Sequence, residues 1–121
     1  MINMNHVGIV VSNMEVSKKF YSEVIGGELE HTYENENVQL SFYRVGSGVI
    51  ELVKRKQIEY NNNIGIVEHI AFTVDNIEEA VISLKKHNVN LISEKTATME
   101  NKLLFFFKGP DGEKLEYVQY I

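Results

Sequence analysis

The sequence predicts an α+β fold built from two tandem copies of one βαβββ unit, and three observations carry that prediction. A β-branched strand followed by a capped helix opens the chain and returns from Val67 onward. Each helix is followed by strand-like stretches separated by Gly- and Asn-rich turns. The closing strand of each half carries the same signature, Ile50-Glu51-Leu52-Val53 in the first and Leu115-Glu116-Tyr117-Val118 in the second.

Met4 to Val11 reads as a strand, because alternation puts His6, Gly8 and Val10 on one face and Val7, Ile9 and Val11 on the other. Ser12-Asn13-Met14-Glu15 is a Ser-x-x-Glu capping box, which predicts a helix capped by Ser12 with Val16, Phe20 and Val24 as its apolar stripe. Gly26-Gly27 ends it. Strands are expected at Glu28 to Tyr33, Gln39 to Val45 and Val49 to Lys54, with Gly46-Ser47-Gly48 as a hairpin turn. The polar stretch Arg55 to Asn63 lacks periodicity and reads as a linker, giving one domain (1–121) made of unit one (1–54), a linker (55–66) and unit two (67–121). Within the linker, Tyr60 and Asn61 to Asn63 are candidates for a flap over a site. Val67 to Val74 repeats the first strand, Asp75-x-x-Glu78 repeats the capping box, and Asn76 stands where Asn13 stood. Ile77, Val81 and Leu84 form the second helical stripe, and His87 and Asn88 suit its C-terminus. Further strands are expected near Leu91 to Ser93, at Lys102 to Lys108 and at Lys114 to Tyr120, the last two joined by the turn Gly109-Pro110-Asp111-Gly112. The run Leu103 to Phe107 reads as a strand buried on both faces, with one ring available to line a substrate pocket.

A chain of 121 residues with 44% apolar side chains is sized for one core rather than two independent ones. Twelve Lys and Arg against seventeen Asp and Glu leave a net charge of −5, so no basic field is available to gather a phosphate backbone, and nucleic acid is not an expected partner. The absence of Cys excludes disulfides, thiolate metal ligands and a cysteine nucleophile. Val7 to Val11 is too short for a signal-peptide core and no run approaches membrane-spanning length, so the expected setting is the cytoplasm, away from membranes.

Repeated apolar residues mean only that two copies bury the same face. Repeated polar residues inside apolar strands mean more. His6 and Glu51 recur as His69 and Glu116 at nearly one displacement, the slippage being absorbed in turns. A carboxylate turned toward a core costs several kcal/mol unless it is paired, protonated or bound to metal. Two readings follow. In one, the units face each other, and two imidazoles and two carboxylates neutralise a divalent cation with donors that Zn, Ni, Co, Fe and Mn accept. In the other, the imidazoles are structural and the carboxylates point outward to pair with Arg44, Lys54 or Lys114. His31 reads as a solvated strand residue and His87 as a helix-end residue, neither with a repeat partner.

The tandem units, together with His6-Val-Gly-Ile-Val-Val-Ser-Asn13, Glu68-His-Ile-Ala-Phe-Thr-Val-Asp75 and Gly109-Pro-Asp-Gly-Glu-Lys-Leu-Glu116, resemble the vicinal oxygen chelate superfamily of glyoxalase, bleomycin resistance and extradiol dioxygenase proteins over essentially the whole chain. The resemblance implies a curled eight-stranded cup around one divalent metal ion. The closest likeness within it is to glyoxalase I, which implies His6, Glu51, His69 and Glu116 as ligands of Ni, Co or Zn, with Mn or Fe also compatible. It further implies Glu116 as ligand and base with Glu51 as its catalytic partner, a lyase or isomerase moving a proton between adjacent carbons of a hemithioacetal or acyl thioester, a small-molecule substrate and a homodimer. Two positions depart from small bacterial glyoxalase I enzymes: Val10 stands where an Arg meets a glutathione carboxylate, and Arg55 stands where Asn is expected. Methylmalonyl-CoA epimerases are also similar, but usually have Gln where this chain has Glu51. Extradiol dioxygenases use two His and one carboxylate, which leaves Glu51 without a role, and drug-binding resistance members generally lack the four ligands.

Overall fold

Period-two alternation gives each strand two distinct faces, and the computed structural model, which describes residues 5–60, 68–99 and 101–121, arranges its eight strands in two four-stranded sheets. The elements run β1 (Val7–Val10), α1 (Met14–Glu23), β2 (Glu28–Glu34), β3 (Val38–Val45), β4 (Gly48–Arg55), β5 (Ile70–Thr73), α2 (Ile77–Lys86), β6 (Ala97–Met99), β7 (Lys102–Lys108) and β8 (Lys114–Tyr120). The chain divides into two compact units, residues 1–61 and 62–121, each holding one βαβββ copy. The strand orders, β1-β4-β3-β2 and β5-β8-β7-β6, are the same pattern twice. In each, the first strand lies parallel to the last, and the other pairs are antiparallel. The Met4 start of the first strand, the Val67 start of its repeat and the Asn61 to Asn63 part of the expected flap lie outside the described residues. Among the described residues no helix is long and apolar enough to cross a membrane.

Each core lies between one helix and one sheet. In the first unit α1 packs on β3 and β4, burying Met14, Ser17 and Tyr21 against Tyr43, Ile50 and Leu52. This face is rotated from the expected Val16, Phe20, Val24 stripe, since Val16 is half exposed. Met14, Ser17 and Tyr21 share helical spacing too, and turning them inward buries the large tyrosine ring while the small serine lets the helix approach the sheet. In the second unit Ile77, Val81 and Leu84 face Phe105, Phe107, Leu115 and Tyr117, as the periodicity predicts. Asn88 carries φ 57, the left-handed conformation expected just past the helix.

Three further sequence expectations are corrected. Both helices are capped one residue later than the Ser12 and Asp75 boxes predict. The Asn13 side chain accepts from the Val16 amide and that of Asn76 from the Glu79 amide, each at 3.1 Å, because the carboxamide oxygen on extended backbone reaches the third helical N–H. Gln119 on β8 adds a second cap, its Oε1 accepting from the Ile77 amide at 2.8 Å. Asn76→Ala is therefore expected to cost about 1 kcal/mol, read as a lowered midpoint in urea unfolding. The expected strand at Leu91 to Ser93 is only an isolated bridge from Leu91 to Phe107, because the Ser93 hydroxyl accepts from the Phe106 amide at 2.9 Å in place of a ladder carbonyl. The fourth strand of that sheet is β6 instead, too short to leave a periodic signal. Finally, β4 continues through Arg55, which the sequence reading assigned to the linker.

Burial has one titration consequence. Tyr117, its ring 4.6 Å from that of Phe107, has its phenol pushed up to about 12 by desolvation of the charged form. The unfolded chain ionises this group near 10, so its contribution is complete below that pH and declines as pH rises toward 12, by up to about 3 kcal/mol. Tyr117→Phe should flatten this alkaline decline, measured as unfolding midpoints between about pH 9 and pH 11.

Candidate metal centre

Register brings the repeated polar residues into pairs. In the first unit Gly8 of β1 lies opposite Glu51 of β4, which lies opposite Phe42 of β3. In the second, Ala71 lies opposite Glu116, which lies opposite Phe106. Both histidines just precede their strands rather than lying within them. Even so, two residues before Gly8 or Ala71 they remain on the carboxylate side. His6 Nε2 is 3.5 Å from Glu51 Oε1, and His69 Nε2 is 3.5 Å from Glu116 Oε1. Gly8 gives the first pair extra room, as a Cβ there would stand 3.0 Å from Glu51 Oε1, whereas the second pair keeps the same spacing beside the small side chain of Ala71.

Each imidazole is also gripped from its other sides. Phe42 meets His6 edge-on at 5.8 Å and 84°, and Phe106 meets His69 at 5.8 Å and 86°. His6 Nδ1 lies 2.6 Å from Asn5 Oδ1, and His69 Nδ1 is hydrogen-bonded to Glu68 Oε2. An acceptor at Nδ1 holds the proton there and leaves the Nε2 lone pair facing the carboxylate. The carboxylates are largely withdrawn from solvent, their side chains being 17% exposed for Glu51 and 9% for Glu116.

This donor chemistry fits a divalent cation. Ligand atoms bonded at about 2.0–2.2 Å to one ion lie about 3.0 to 3.5 Å from each other, which is the spacing of each Nε2–Oε1 pair. Among the described residues no group of three or more His, Asp and Glu is close enough to hold a metal, so the candidates occur as two pairs, one in each unit.

The outward-pointing alternative for the carboxylates does not match the contacts. Arg44 pairs with Glu30 at 2.9 Å, Lys54 donates to the Arg55 carbonyl at 3.0 Å, and Lys114 donates to Glu68 at 2.6 Å. His87 is the helix-end residue expected, its Nδ1 2.8 Å from the Ser83 carbonyl. His31 is exposed as expected, but its ring also lies 5.7 Å from Phe42. Sequence reasoning missed Glu68 and Lys114. The Lys114 hydrogen bond, followed by that from His69, holds the Glu68 carboxyl below its ordinary range. Phe106 is the half-buried ring of the β7 run, and Lys114 Nζ lies 4.7 Å from its centroid. The available signal was the contrast between copies, Asn5 before one histidine and Glu68 before the other.

Fold and site together define a duplicated βαβββ protein in which each copy presents one imidazole–carboxylate pair. The chain belongs to the Glyoxalase/Bleomycin resistance protein/Dioxygenase superfamily, whose profile matches residues 3–117. It is similar to the uncharacterized protein YwbC of Bacillus subtilis, at 34% identity over 96% of each chain. It is also similar to the metallothiol transferase FosB of Staphylococcus epidermidis, at 27% identity over 94% of this chain and 79% of that one. Among solved structures, the trypanothione-dependent glyoxalase I of Leishmania major superposes with a TM-score of 0.84 at 26% identity, over 98% of this chain and 87% of that one.

Proposed function

We propose that this protein is a divalent-metal-dependent lyase or isomerase of the glyoxalase I type, moving a proton between adjacent carbons of a hemithioacetal or acyl thioester. The observation that carries the reading is the duplicated pair, His6 with Glu51 and His69 with Glu116, each with Nε2 and Oε1 3.5 Å apart and Nδ1 occupied from behind. His6, Glu51, His69 and Glu116 are the proposed protein ligands of one Ni, Co or Zn ion, with Mn or Fe also compatible. When bound, such an ion supplies Lewis-acid polarisation of the substrate oxygens, worth several kcal/mol. Glu116 is the proposed base, taking the proton from one carbon and returning it to the next, with Glu51 its proposed catalytic partner. A nearly dry carboxylate suits this work because little water competes for the proton. Phe42 and Phe106, edge-on to the histidines, keep the imidazoles from rotating as the charge on the carboxylates changes.

A thiol-bearing small molecule is the proposed substrate, because metallothiol transferase and trypanothione-dependent glyoxalase, the names of two similar proteins, both refer to thiol chemistry. Val10 and Arg55 favour a thiol carrier other than glutathione. The working form is proposed to be a homodimer. The test is an assay of protein loaded separately with each metal against hemithioacetals and 2-substituted acyl thioesters made from a panel of thiols. Turnover with at least one thiol is expected, and none with any pairing would remove the reading. Metal-dependent thiol transfer, the activity in the name of the Staphylococcus relative, is a second reading, distinguished by a thiol adduct rather than an isomer as product.

A further inference from the structure

The two halves of the candidate centre match on the strand side and differ behind the imidazoles. Each histidine has the same carboxylate at 3.5 Å and the same edge-on phenylalanine. Behind His6 stands a neutral carboxamide, with Asn5 Oδ1 2.6 Å from Nδ1. Behind His69 stands a carboxylate: Glu68 accepts from Nδ1 with Oε2 and from Lys114 Nζ with Oε1, the latter at 2.6 Å. Lys114 in turn lies over Phe106, 4.7 Å from the ring centroid, and Phe106 is edge-on to His69. The contacts close a circuit from His69 through Glu68, Lys114 and Phe106 back to His69. The first unit lacks this circuit, since Val49 precedes Glu51 by the same interval as Lys114 precedes Glu116.

From this asymmetry, and resting on the metal-binding reading above, we infer that Glu68 is a positioning residue which, braced by Lys114, fixes His69 in the Nδ1–H tautomer and makes it the stronger imidazole donor of the two. Free imidazole side chains prefer the Nε2–H form, which has no lone pair at Nε2 to offer a metal. A charge-assisted bond to Nδ1–H overrides that preference more firmly than the amide oxygen of Asn5, and raises the basicity of the ligand nitrogen. Lys114 keeps Glu68 from swinging into solvent, a risk for a side chain that is 55% exposed.

The test uses the full chain with ¹⁵N-labelled histidine, first metal-free at about pH 8.5, where ordinary imidazoles are neutral. His69 should show the Nδ1–H pattern in the unsubstituted protein and shift toward Nε2–H in Glu68→Ala. Glu68→Gln, which keeps an acceptor but no charge for Lys114, should restore part of the pattern. Zn competition titrations on the same proteins should then show Glu68→Ala weakening affinity by about 10–100-fold, and Asn5→Ala by a smaller factor. An unchanged His69 spectrum in Glu68→Ala would overturn the positioning role. A shifted spectrum with unchanged Zn affinity would overturn the claim that His69 is strengthened as a ligand. Unsubstituted protein that binds no Zn, while its His69 tautomer still depends on Glu68, would overturn the metal reading and the ligand role together, so the two failures are told apart.

Discussion

Glu116→Gln is expected to lower kcat by about 10²- to 10⁴-fold at saturating metal, the range removed when a positioned general base is lost. The substitution changes little else. Gln has the shape of Glu, β8 keeps its ladder with β5 and β7, and the new amide N–H can donate to the Nε2 lone pair of His69. On the proposed mechanism, what disappears is the ability to hold a proton between two carbons, and one unit of negative charge toward the proposed cation. Those two losses separate experimentally: single-turnover rates measured after metal content has been equalised report the proton transfer alone. Glu51→Gln is the matched control, because Glu51 stands in the same register opposite Phe42 as Glu116 does opposite Phe106. A fall in Glu116→Gln that vanishes once metal loading is matched would reduce Glu116 to a ligand. Equal falls in both variants would make the carboxylates a pair acting jointly.

The features legible in the sequence were those that both copies had to keep. Alternation around Gly8 and around Glu51 predicts which side of each strand the polar residues take, and the structure realises it as His6–Glu51 and His69–Glu116 contacts. Less legible were choices between neighbours of similar chemistry. Ser12 and Asn13 are both good caps, and only the backbone path of residues 11–14 decides between them. The hydroxyl of Ser93 stops a strand that its apolar neighbours Leu91 and Ile92 favour, and no propensity registers a hydrogen bond that depends on Phe106 being alongside. Lys114 and Glu68 are far apart in sequence and meet only because β5 runs parallel to β8. Their absence from the first copy hid them from repeat comparison, which finds what is shared.

Stripping the protein of metal and offering Ni, Co, Zn and Mn separately should leave about one ion per chain, with affinity rising from Mn through Co to Ni, as mixed nitrogen and oxygen donors require. His69→Ala should abolish retention through dialysis. Removing a proposed direct ligand should cost more than the 10–100-fold typical of an outer partner, and it takes away the imidazole 3.5 Å from the Glu116 carboxylate. The count per chain is the informative quantity. One imidazole and one carboxylate supply a net charge of −1 and only two donors, too little to hold a divalent ion against dialysis, whereas two such pairs supply −2 and four donors. One ion per chain, lost in His6→Ala as well as in His69→Ala, therefore means that both copies serve a single ion. Two ions per chain, each lost with its own histidine, would mean that duplication produced two independent sites, and the proton-transfer chemistry proposed for Glu116 would lose the shared cation on which it depends.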